Sequence, residues 1–157
     1  MKASWIGSVA VIVAVAVIGA GYLVATTQTV MTPQNPPVSH SGPVRDYVSL
    51  VDALRAKGFK VEPTEKISQP FFSVEAQTID VVGRRLQVYE YATEKAMNEE
   101  AAKVSPDGTS VGNSKVSWIE PPHFYKVGRI LVLYIGTDSN VINVLDEIIG
   151  PQFAGSA

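Results

Sequence analysis

The sequence predicts an α+β protein: an N-terminal transmembrane helix, then one small domain in which an antiparallel sheet packs against about three helices. Trp5 to Ala25 is a run of 21 residues without a charge. Farther on, Gly83-Arg84 and Gly128-Arg129 each separate two stretches that read as strands, which marks hairpins. Finally, Asp46, Thr93 and Asp138 each precede an amphipathic stretch that they are able to cap as a helix.

The apolar run comes first. As a helix of 1.5 Å per residue it spans about 31 Å, close to the ~30 Å hydrocarbon core of a bilayer. Lys2 is the only charged side chain before it and none follows until Arg45. The positive-inside rule therefore keeps residues 1–4 in the cytoplasm and exports the remainder. A cleaved signal peptide is the alternative, but its apolar core is shorter, about 7–15 residues, and Val24-Ala25-Thr26 is a weak cleavage site. The expectation is a single-pass signal anchor over residues 5–25, with the bilayer as partner and the carboxyl-terminal domain extracytoplasmic. Small residues four apart in this helix, such as Ala16 and Ala20, leave its oligomeric state open.

Residues 26–44 read as a stem. Pro33, Pro36, Pro37 and Pro43 stand there among Thr, Ser, Gln and Asn, and proline fixes φ and removes backbone donors. Residues 45–157 then form the exported domain. The chain has no cysteine, which excludes a lipid-modified cysteine, a disulfide framework and thiolate metal sites. Its core alone must hold the domain together.

Within the domain, Tyr47, Leu50, Val51 and Leu54 form one helical face, and Gly58 supplies a left-handed exit. Phe59 and Val61 begin a short strand that Pro63 stops. A second strand is expected over roughly Phe72 to Val82, then a turn at Gly83-Arg84 and a return strand through Leu86 and Val88. Thr93 opens a second helix with Ala96, Met97, Ala101 and Val104 inward and Glu99-Glu100 at its solvated side. Ser105-Pro106-Asp107-Gly108 ends it. Val116 to Glu120 reads as a strand, and Phe124 to Val127 with Ile130 to Ile135 as a hairpin. The second arm of that hairpin is continuously apolar, as a strand covered on both faces must be. Asp138 caps the last helix, whose face is Val141, Val144, Leu145 and Ile148. A weak internal repeat relates Val82–Tyr89 to Val127–Tyr134, with the caps Thr93 and Asp138 at the same offset.

Chemistry is sparse. The net charge of −2 is spread without a basic stripe, which argues against a nucleic-acid partner. There is no P-loop, dinucleotide fingerprint, H-E-x-x-H or EF-hand spacing, so neither cofactor nor metal is expected. The densest stretch is Ser117-Trp118-Ile119-Glu120-Pro121-Pro122-His123-Phe124-Tyr125, where tandem prolines stiffen a segment crowded with rings. Trp118, Glu120, His123, Phe124 and Tyr125 are the candidate surface for a ligand or partner, with Glu120 a charge partner for His123. The competing reading is a buried sheet corner in which Trp118 and Phe124 fill the core and His123 bonds backbone.

The run Ser-Trp-Ile-Glu-Pro-Pro-His-Phe-Tyr-Lys-Val-Gly-Arg, with the ending Gly-Pro-Gln-Phe-Ala-Gly, resembles a family of small uncharacterised bacterial envelope proteins. The similarity covers most of Tyr47 to Gly155. It implies export or membrane anchoring and carries over no catalytic residue. The reading that follows is an envelope-facing binding or accessory module, for a protein or polymer of the envelope, rather than an enzyme. A hydrolase using His123 with a carboxylate, and a structural or assembly subunit, are the alternatives.

Overall fold

The computed structural model describes residues 42–156, so the expected membrane helix over 5–25 and the stem up to residue 41 lie outside the described residues. Among the described residues no helix is long and apolar enough to cross a membrane. The described domain is α+β, with an antiparallel sheet and three helices.

Asp46 starts α1 (Tyr47–Ala56) through a capping box: its carboxylate accepts from the Ser49 amide, and the Ser49 hydroxyl accepts from the Asp46 amide. Val44, expected in the stem, is buried with the core, so the domain begins before Arg45. After the left-handed Gly58, β1 (Val61–Ile67) does not stop at Pro63 but runs through it. It can do so because it is an edge strand, where a missing N–H leaves no ladder bond unmade, and a bulge between Pro63 and Lys66 absorbs the irregularity.

Strand β2 (Ala76–Val81) begins later than Phe72, because Phe71 and Phe72 belong to the loop before it. Its hairpin to β3 (Arg84–Glu90) turns on Val82-Gly83, one residue earlier than expected. Thr93 caps α2 (Glu94–Ala101) as predicted, and a small hairpin of β4 (Ser110–Val111) and β5 (Ser114–Lys115) follows. The expected strand over Val116–Glu120 is absent: the segment is irregular, with Ile119 and Glu120 both exposed. The strand starts instead at Pro122, where a proline's missing donor is tolerated, giving β6 (Pro122–Val127). β7 (Ile130–Ile135), α3 (Ser139–Ile148), and a two-residue β8 (Ala154–Gly155) complete the domain.

The main sheet has the order β1-β2-β3-β7-β6-β8, all neighbours antiparallel. On one face α1 and α3 pack over Ile79, Leu86, Val88, Tyr125, Val132 and Tyr134. On the other, α2 and the loop carrying Phe72 cover Tyr89, Phe124, Leu131 and Leu133. β7 alternates between the two clusters, which accounts for its uninterrupted apolar sequence.

The internal repeat is one residue out of step with the structure. It matches Val82 to Val127, whereas the turns match Val82 to Gly128. A slip of one residue exchanges faces: Leu86 lies in the first cluster, its sequence match Leu131 in the second. The two helices after the hairpins correspondingly lie on opposite faces, so the likeness reflects shared hairpin chemistry.

Candidate functional site

The five predicted residues do not form one surface. Strand alternation sends His123 and Tyr125 to the α1/α3 side and Phe124 to the other, and Phe124 and Tyr125 are fully buried. Burial, with Asp146 nearby, pushes the Tyr125 hydroxyl well above the usual phenol range. Trp118 is half-buried; its ring sits edge-on to Phe71 and Phe124, and Nε1 donates to the Gly108 carbonyl at 2.6 Å. These three are packing residues of a sheet corner.

His123 is buried too. Its Nδ1 lies 2.6 Å from Gln152 Oε1, its Nε2 3.0 Å from the Gly136 carbonyl, and its ring stacks on Tyr134 with centroids 5.8 Å apart. Glu120 is not its partner: among the described residues no carboxylate reaches the imidazole at hydrogen-bond distance. Both ring nitrogens are engaged, so neither is open to a substrate as a general base.

Beyond Val48 on α1, two exposed aliphatic side chains lie at one end of the sheet. Ile119 is 94% exposed and Val82 65%. Beside them a cavity of about 290 Å³ is lined by Arg84, Gln87, Ile119, Glu120 and Tyr134, among others. Arg84 pairs with Asp138 at 3.2 Å and holds its carboxyl below the usual range, and Arg85 pairs with Glu65 at 3.0 Å. Glu120 is left without an ion pair among the described residues. Of the predicted set, Glu120 alone belongs to this surface. Ile119 and Val82 escaped the sequence reading because an isolated aliphatic residue carries no signal of exposure.

The chain enters the domain at the opposite end. Arg129, in the β6–β7 turn, donates its amide to the Arg45 carbonyl at 2.9 Å, while Val82 turns the chain at the other end of the neighbouring strand pair. Six-residue strands separate the two ends by about 20 Å.

Glu100 is also displaced from its expected solvated position. It is buried, held on one oxygen by Lys103 at 2.7 Å, and lies near Tyr91, whose hydroxyl burial pushes up. Among the described residues no three histidine or carboxylate groups converge in a way that would hold a metal ion. Compared with protein-family models, with curated proteins and with solved structures, the chain matches none.

Proposed function

We propose that this chain is a single-pass membrane-anchored envelope protein, amino terminus cytoplasmic, whose exported domain is a binding or accessory module. It meets its partner at the end of the sheet away from the point where the chain arrives from residue 44. The uncharged run over 5–25 and the resemblance to exported envelope proteins support the anchoring. The observation that carries the binding role is the nearly complete exposure of Ile119, with Val82, beside the distal cavity. Buried rings and a doubly bonded His123 supply core, so the hydrolase alternative draws no support from the geometry.

The surface suits a partner that brings an apolar side chain with a cation beside it: Val82 and Ile119 for the first, the Glu120 carboxylate for the second. A photo-reactive residue at position 119 of the full-length chain, in its native membrane, tests this. A discrete adduct from 119, lost in Glu120→Lys and absent from position 95 on α2, is expected. The same adduct pattern from both positions, or none from 119, overturns it. Because the chain lacks cysteine, a single Ile119→Cys also reports sidedness. Labelling by an impermeant maleimide on intact cells is expected, and labelling only after lysis overturns the orientation.

A further inference from the structure

His123 joins three separate pieces of chain, and it faces a hydrogen-bond acceptor on each nitrogen. Nδ1 meets Gln152 Oε1 at 2.6 Å and Nε2 meets the Gly136 carbonyl at 3.0 Å. The Gln152 amide is oriented by its other end, where Nε2 donates to the Ser156 carbonyl at 2.8 Å. Turning that amide would give Nδ1 a donor but would set Oε1 against Ser156 O, which moves the mismatch without removing it. A neutral imidazole has one N–H; only the imidazolium donates on both sides.

We propose that His123 is a proton-operated latch on the carboxyl-terminal segment. Protonated, it ties β6 to the β7–α3 connection and, through Gln152, to residues 152–156. That segment closes the sheet: β8 pairs with His123 and Phe124, Phe153 N–H donates to Phe124 O, Gly155 N–H to Pro106 O and Ser156 N–H to Pro122 O. Loss of the proton sets two lone pairs face to face within 3.0 Å in a buried site. The segment then loosens and uncovers an edge of β6, a row of backbone groups able to accept another strand.

The ionisable groups that stand nearest the ring are Tyr134, Asp138 and Glu120. Tyr134 stacks on it, and its hydroxyl accepts from the Asp138 amide. Asp138 is neutralised by Arg84. Glu120 approaches Gly136, with Oε2 3.1 Å from where a Cβ would stand on that glycine, and its charge also acts on the Arg84 guanidinium. Gly136 is required there, since a Cβ would also lie 2.7 Å from Tyr134 Cζ. The sign follows from the two acceptors: the latch holds while the ring carries both protons and is lost when one leaves.

The test uses the full-length chain in detergent with His40→Gln, so that a single imidazole is observed. Nitrogen-15 shifts of the ring are followed with pH, beside amide exchange at Gly155 and Ser156 corrected for intrinsic rates. The expected result is an imidazolium at low pH, with exchange at these amides rising at least about tenfold as the proton leaves and β3 and β7 unchanged. Gln152→Glu, which sets a carboxylate at Nδ1, is expected to move that transition to higher pH, and His123→Gln to abolish it. A ring neutral across the whole range, exchange that ignores the titration, or a transition surviving in His123→Gln each overturns the latch.

Discussion

Arg45 lies directly against Gly128: a Cβ built on this glycine would stand 2.6 Å from Arg45 Cα and 2.8 Å from its carbonyl carbon. The contact docks the start of the domain onto the β6–β7 turn, reinforced by Arg129 donating to the Arg45 carbonyl and pairing with Glu90 at 2.9 Å. Gly128 also has φ +53°. Gly128→Ala thus meets a strained backbone and a backbone clash together. It is expected to destabilise the domain by about 2 kcal/mol or more. The urea midpoint, read from Trp118 fluorescence in a Trp5→Phe background, checks it. An unchanged midpoint would show that the docking is loose.

Val82 is the reverse case. It holds φ +53° at the first position of a two-residue turn and Gly83 holds +76°, the pair of positive angles for which Asn-Gly is the favoured sequence. A β-branched residue there is strained, and at 65% exposure it regains little by packing. Val82→Asn is expected to raise stability by about 1 kcal/mol while weakening the adduct formed from position 119. Strain retained at an exposed apolar tip makes sense where the side chain serves contact. A stabilised variant with undiminished adduct would separate the strain from the contact.

Most of the fold was legible wherever a residue acts on its immediate neighbours. Asp46, Thr93 and Asp138 cap the helices assigned to them, because capping needs only the next turn of backbone. The unbroken apolar run of β7 announced a central strand. What failed depended on distant neighbours. Pro63 does not end β1 because β1 is an edge, and edges are set by the whole strand order. Two-residue β8 has too little sequence to carry a period. Glu100 was the readable miss: Met97, Glu100, Ala101 and Val104 already follow the spacing of one helical face. The aromatic stretch was legible as rings and prolines, but which sheet face each ring takes followed from a register that places Tyr125 opposite Val132.

The turn after α2 carries an acid-sensitive group. Asp107 accepts from the Ser105 hydroxyl, the Thr109 amide and the Thr109 hydroxyl, and these bonds hold its carboxyl at about 2 instead of 3.8. A depressed carboxyl contributes stability above its unfolded value and loses it as pH falls through the folded one. The turn should therefore hold at neutral pH and release between about pH 4 and pH 2. Carbon-13 shifts of the Asp107 carboxyl are expected to titrate near the lower figure, with the Thr109 amide losing protection alongside. Titration at an ordinary aspartate value would show that the three bonds do not persist.

Trp118 separates packing from recognition at the aromatic corner. Trp118→Phe retains a ring against Phe71 and Phe124, at 6.2 Å and 5.9 Å in the parent, but removes the donor from the Gly108 carbonyl. Gly108 is buried, and the Trp118 indole is the donor that its carbonyl meets. Leaving that carbonyl unpaired is expected to cost about 1–2 kcal/mol. Calorimetry should register this as a melting temperature lowered by roughly 4–8 °C per kcal/mol for a domain of this size. The adduct from position 119 should persist in the folded variant, since Ile119 points to solvent whichever ring stands behind it. An adduct abolished with the melting temperature unchanged would return Trp118 to the binding surface and move the contact from the tip to the corner.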